Sequence, residues 1–339
     1  MLKISTTPHL SAKQDTRKIM RDVIVALFPA MFAALLLFGL NALIVLATSV
    51  TSCLLFEYLL SRALRLKNNT WDLSAVVTGV LLALNLPATM PIWMTMVGAF
   101  MAIGVAKMAF GGIGKNIFNP ALVGRVFLFI SFPVQMTSWV LPQPLDFFKV
   151  DAATSATALN VLKHIDLSGA AEVVEASTAD MLPSYAQMFW GNMGGSMGEV
   201  SVFALLLGFY WLLRKKIIGW QIPVVFVGTF AFLMGLTYLV TANPRYEMLA
   251  HVMSGGLLLG AIFMATDYTT SPITFKGKII YAVGCGIITS LIRIFGSLPE
   301  GVSFSIILMN ILVPHIDNLT AQKPFGFVKE KKKKEEAAK

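Results

Sequence analysis

TGVLLALNLPATMP, Thr78–Pro91, is echoed late in the chain by GGLLLGAIFMATDYTTSP, Gly255–Pro272. A second pair follows the same spacing: KMAFGGIG at Lys107–Gly114 and RIFGSLPEG at Arg293–Gly301. Both members of the first pair are apolar runs broken by Gly, Asn, Asp or Pro. The apolar segments flanking them are close to the roughly 20 residues that span a bilayer. Taken in order, the apolar runs are Val23–Leu40, Ala42–Leu60, Leu73–Leu86, Pro91–Ala109 and about Pro120–Phe132, then Val200–Leu213, Ile222–Val240, Met248–Thr266, Ile279–Ile294 and Val302–Val313. The first pair therefore lies on spans three and eight, and the second follows spans four and nine. Five spans per half give the halves opposite polarity in the membrane. That is the inverted-repeat plan, in which matching broken segments frame a central site.

The expectation is an all-α integral membrane protein of about ten transmembrane helices in two inverted five-helix repeats. Residues 1–22 form an N-terminal arm, 23–133 the first membrane half, 134–199 a long polar loop, 200–316 the second half and 317–339 a basic tail. Composition agrees: 56% of the 339 residues are hydrophobic and 13% charged, against about 25% charged in soluble domains. The net charge of +9 sits in short loops and tails, which points to membrane orientation rather than nucleic acid. With a cytoplasmic N-terminus, 22 of the 27 Lys and Arg fall inside, Lys107 among them. Both termini are then cytoplasmic and the long loop is extracytoplasmic. Cys53 and Cys285 lie in apolar runs without metal-ligand spacing, so no metal site is expected.

Within the long loop, DAATSATAL at Asp151–Leu159 offers Asp151, Thr154, Ser155 and Thr157 among alanines. A solvated backbone with small neighbours lets a bulky group approach a hydroxyl. In the fifth-span approach, GGIGKNIFNPALVGR, Asn116 and Asn119 precede Pro120. Broken backbone at membrane depth is tolerated only where it is buried or lines a polar cavity, so the break marks a ligand or ion site. A helix cap before the proline is the structural alternative. Glu57, in LLFEYLL, is a carboxylate within a span and a default ion-path candidate. Its structural alternative is pairing with Arg62 or Arg65. Asp267 is a second ion-path candidate, or a cap for the turn that follows it. Arg125 is expected to meet a carbonyl or an acid in the bundle. His164 and His251 show no ligand spacing.

Three stretches occur in order: GGIGKNIFNPALVGR, SFPVQMTSW at Ser131–Trp139, and DAATSATAL. Together with FMATDYTTSP and FGSLPEGVSFSIILMNILVPHID, they resemble the D subunit of the Rnf complex, an ion-translocating ferredoxin:NAD+ oxidoreductase. They resemble more distantly the B subunit of the Na+-translocating NADH:quinone oxidoreductase. The resemblance covers nearly the whole chain. It implies a urea-transporter-like bundle and FMN esterified through its phosphate to Thr157, with Asp151 and Thr154 matching the acid and hydroxyl of the attachment motif. The chain departs from that motif at Ala152, where Gly is usual, and at Ala158, where Pro is usual. The resemblance further implies a non-covalent riboflavin near Asn116 and Asn119 on the cytoplasmic side, and electron passage between the flavins coupled to Na+ or H+ movement. Its implied partners are the A, B, C, E and G subunits and an FAD-dependent flavin transferase, in a bacterial cytoplasmic membrane. NADH and ferredoxin chemistry belongs to partners, because this chain has no nucleotide fingerprint and no iron–sulfur cysteine set. A small-solute channel or transporter of the same fold, without flavin, is the alternative from another class.

Overall fold

A computed structural model describes residues 15–65, 70–142, 154–155, 157–159, 162, 183–241, 243, 247–296 and 300–321. Asp151, His164, most of the long polar loop, residues 1–14 and residues 322–339 lie outside these described residues. The described chain is largely helical, as expected of an all-α membrane protein. Four helices are long and apolar enough to cross a membrane: α1 (Thr16–Ala63), α8 (Gln221–Thr241), α11 (Phe275–Phe295) and α12 (Val302–Thr320). Shorter apolar helices stand between them: α2 (Ser74–Leu84), α3 (Ile92–Phe100), α4 (Pro120–Ser131) and α7 (Val202–Arg214). Short α-helices also include α5 (Pro133–Met136), α6 (Tyr185–Trp190), α9 (Met248–Met253) and α10 (Leu257–Leu259). Wider π-type turns extend α3 through Met101–Met108 and α10 through Gly260–Met264.

The 48 residues of α1 are not one rod. Gly39 breaks the helix at φ 61°, ψ −141°, backbone that glycine adopts most readily. Ile19, Met20 and Val23 line the same cavity as Lys107, whose ammonium binds Glu57. Val23 and Glu57 would be roughly 50 Å apart on a straight helix at 1.5 Å per residue. The chain therefore doubles back at Gly39, giving two limbs from one apolar stretch.

α2 has 11 residues and is roughly 16 Å long, about half a hydrocarbon core. Its close neighbour is the second limb of α1. A Cβ on Gly79 would lie 2.7 Å from Val50 Cα, and Ser49 Oγ donates to the Gly79 carbonyl at 2.7 Å. A helix ending at mid-depth leaves carbonyls that need donors. Here the donors come from the far end of the polar loop: Gly198 N–H to Leu84 O at 2.7 Å and Met197 N–H to Leu86 O at 3.2 Å. Met193–Val200, at the end of that loop, is buried. Its glycines allow the approach, because a Cβ on Gly198 would fall 2.5 Å from Leu84 Cβ.

The second half packs α8 against α11, where Gly286 admits Thr229, and α11 against α12 through Thr289 Oγ1 donating to Ser305 Oγ at 2.7 Å. Large apolar side chains such as Phe232, Leu239, Val240 and Phe295 are exposed on the outer helix faces, as a lipid-contacting surface requires.

Candidate functional site

Two stretches distant in sequence meet over one end of the bundle. Trp139–Val140, in and just after SFPVQMTSW, forms β1, and Thr154–Ser155 forms β2. They pair antiparallel, Trp139 with Ser155 and Val140 with Thr154. This two-residue ladder is the one departure from all-α among the described residues, and it sets the path of the chain just before Thr157. Thr157 is buried, 7% exposed, in contrast to the solvated hydroxyl expected. The reason is apolar: Ala158 and Leu162 dock into a satellite cluster with Met188, Met193, Val200 and Ala250, against Leu37 and Phe38 at the Gly39 turn.

The other candidate residues converge at the opposite end. Asn116, Asn119 and Asp267 line one cavity together with Ile19, Val23, Thr78, Lys107, Phe263 and Thr269. Its volume is about 110 Å3. The walls are mostly apolar, with amide, hydroxyl, carboxylate and ammonium groups among them. Ile19 and Leu37 are 18 residues apart on the first limb of α1, roughly 27 Å at helical rise. The cavity and the Thr157 cluster therefore stand apart by about the thickness of a hydrocarbon core.

Asn119 is fully engaged as the N-cap of α4. Its Oδ1 accepts from Ala121 N at 3.0 Å and Leu122 N at 3.4 Å, while Nδ2 donates to Met264 O at 3.2 Å. It thus ties α4 to the π-type turn after α10. Asn116 Nδ2 donates to Phe118 O at 3.1 Å and to Thr269 Oγ1 at 2.8 Å. Thr269 Oγ1 in turn donates to Asp267 Oδ2 at 3.0 Å. Asp267 also takes the Thr270 hydroxyl and closes its turn through its carbonyl, so the capping role is met in the geometry. Asn119→Ala is expected to lower stability by about 1–2 kcal/mol through the lost cap. Asn119→Ser, which keeps a neutral capping oxygen and loses the Met264 bond, is expected to recover most of it in thermal unfolding.

The chain matches the family model described as NQR2, RnfD, RnfE over residues 3–326. It belongs to that family. It is 44% identical over 333 residues (98% of this chain, 97% of the relative) to the D subunit of the Na(+)-translocating ferredoxin:NAD(+) oxidoreductase complex of Acetobacterium woodii. It is 43% identical over 327 residues (95% and 96%) to the D subunit of the proton-translocating ferredoxin:NAD(+) oxidoreductase complex of Clostridium ljungdahlii. It is 40% identical over 337 residues (93% of each) to the D subunit of the ion-translocating oxidoreductase complex of Stutzerimonas stutzeri. The first two relatives are named for different ions at nearly equal identity, so overall identity does not select the ion.

In this member of the NQR2, RnfD, RnfE family, Glu57 does not pair with Arg62 or Arg65. Lys107 Nζ binds Glu57 Oε1 and Ser74 Oγ, both at 2.6 Å, with both charged side chains 3% exposed. Ser74 continues the network to Asp72 through its N–H at 2.8 Å and its hydroxyl. Lys107, assigned to the inside loops by charge counting, is thus a buried residue of the π-type turn beside the cavity. π-type irregularity is frequent at functional sites.

A second charged cluster escaped the sequence reading except for Arg125. Arg125 Nη1 donates to Asn85 Oδ1 at 2.8 Å and Ser303 Oγ at 3.1 Å, and Nη2 pairs with Glu300. Arg293 donates to the carbonyls of His251 at 2.6 Å and Ser254 at 3.3 Å and lies over the Phe230 ring. Glu199 Oε1 accepts from Ser196 N at 2.9 Å. Charged residues inside or beside apolar runs were the available signal.

Proposed function

We propose that this chain is the membrane flavoprotein subunit, the RnfD component, of an Rnf-type ferredoxin:NAD+ oxidoreductase that couples electron transfer to Na+ or H+ translocation. The observation that supports this reading best is the separation of its two candidate sites: the Thr157 segment, docked on the Ala158–Leu162 apolar cluster, at one end of the bundle and the Asn116–Asn119–Asp267 cavity at the other. That arrangement suits two electron carriers near opposite membrane faces. The curated relatives are named as subunits of such complexes. The bundle then comprises about ten spans in two inverted, urea-transporter-like halves. Thr157 faces the extracytoplasmic side of a bacterial cytoplasmic membrane, and both termini are cytoplasmic.

In this reading Thr157 carries FMN by phosphoester, with Asp151, Thr154 and Ser155 flanking the attachment site. The β1–β2 pairing holds that site against the bundle. Asn116 and the cavity walls hold riboflavin, while Asn119 fixes the wall itself by capping α4. When bound, the flavins supply reversible electron carriage, and the protein supplies position and electrostatics. Glu57 and Asp267 border the ion route at the cavity end. An FAD-dependent transferase matures the subunit, and the A, B, C, E and G subunits complete the enzyme.

The test is in-gel flavin fluorescence of the denatured chain, expressed with its transferase. The wild-type band is expected to fluoresce and the Thr157→Val band to be dark. Equal fluorescence in both would move the linkage to Thr154 or Ser155. A dark wild-type band beside a bright flavinylated control would favour a solute transporter without flavin.

A further inference from the structure

We propose that Glu199 is a proton-exchange site of the membrane domain, held in a cage formed by Arg125, Arg293 and Glu300. This goes beyond the ion route at Glu57 and Asp267 and rests on different residues. Glu199 is 4% exposed. Its Oε1 is held by the Ser196 N–H, but its Oε2 is buried and has no hydrogen-bond partner among the described residues. An unsatisfied buried carboxylate oxygen is costly enough to call for a function.

The unpartnered oxygen is aimed at a specific place. A Cβ built on Gly256 would lie 3.6 Å from Glu199 Oε2 and 3.2 Å from Arg125 Nη1, and the two groups form no direct ion pair. They converge over a glycine that leaves the space open. On the adjacent Gly255, at φ +66°, a Cβ would meet Arg293 Nη2 at 2.9 Å and Leu159 Cδ1 at 2.4 Å. The Gly255–Gly256 pair is therefore the junction between the charged cage and the segment that carries Thr157.

The charges facing Glu199 select the ligand. Arg125 comes from α4, Arg293 from α11, and Glu300 from the residues before α12; His251 on α9 contributes its carbonyl to Arg293. With Glu199 ionised, two guanidinium groups balance two carboxylates. A metal cation such as Na+ would have to sit beside two guanidinium groups, which repel it and offer no oxygen ligands. A proton needs only the free lone pair of Oε2. In the exchange, hydronium gives its proton to Oε2 and leaves as water, so one O–H bond breaks and one forms. A small cleft of about 10 Å3, lined by Arg125, Val126, Phe129, Glu300, Ser303 and Phe304, abuts the cage, and Glu300 is its partly exposed member.

pH-difference infrared spectra of the assembled complex in nanodiscs test this without using the flavin. The wild type is expected to show a protonated-carboxyl C=O band that appears on acidification and shifts in D2O. Glu199→Gln is expected to abolish that one band while keeping the Ser196 bond through its amide oxygen. Glu199→Asp, which retains the carboxyl, is expected to move the band rather than remove it, and it guards against misfolding of the glutamine variant. Identical wild-type and Glu199→Gln spectra would overturn the proposal. A band that responds to Na+ and not to pH would overturn the choice of a proton. Neither outcome bears on the flavin at Thr157, which the gel assay decides separately.

Discussion

Lys107→Met is expected to destabilise the membrane domain by about 3–5 kcal/mol, and Glu57→Gln in the same chain to restore most of that loss. The ammonium lies 2.6 Å from Glu57 Oε1 with both side chains 3% exposed. Removing it leaves a buried carboxylate without its charged partner. The second oxygen of Glu57 is already without a hydrogen-bond partner among the described residues, so the carboxylate has no alternative donor in place. Ser74 also loses a donor to its hydroxyl oxygen, which loosens the start of α2. Neutralising both members removes the desolvated charge altogether, and replacing a buried pair by neutral groups of similar size is often close to neutral. The measurement is a double-mutant cycle on thermal unfolding of the purified protein. A double variant as unstable as Lys107→Met alone would show that the methionine acts through packing of the π-type turn and not through an unpaired charge.

That pair shows where sequence reading stops. Glu57 stood out because a carboxylate in an apolar run is rare, but hydropathy carries no information on a partner fifty positions away. Arg62 and Arg65 were nearer along the chain, whereas the turn of the backbone at Gly39 and the π-type turn at Met101–Met108 bring Lys107 to it. Asn119 before Pro120 was legible as a cap because capping is local chemistry. Asp267 was legible as a turn former for the same reason. The acid partner of Arg125 was foreseeable in kind, since a guanidinium at that depth needs one, but not in identity. The cage around Glu199 was missed because GNMGGSMGEV reads as polar loop. Its glycines instead permit burial against the end of α2, where Gly198 N–H donates to the Leu84 carbonyl. The burial of Thr157 was missed because the alanines beside it signal small volume equally well in solvent and in a packed cluster.

Arg125→Met is expected to be as damaging as the loss of Lys107, about 3–5 kcal/mol, and for a wider reason. One guanidinium joins three parts of the bundle: Asn85 at the end of α2, Ser303 on α12, and Glu300 just before it. Asn85 is itself tied to its own helix through Nδ2 to Leu81 O at 2.6 Å, so it cannot swing away to find another donor for Oδ1. Without the arginine, Glu300 and Glu199 share a buried space in which Arg293 is the other cation, already committed to the His251 and Ser254 carbonyls. Arg125→Lys separates charge from geometry. A lysine ammonium restores the positive charge but lacks the planar fork that reaches Asn85 and Ser303 from one nitrogen and Glu300 from the other. It is expected to recover only part of the stability lost in Arg125→Met. Full recovery by lysine in thermal unfolding would mean that charge balance alone holds the cage together. No recovery would mean that the fork is the element joining α2, α4 and α12 at the centre of the fold.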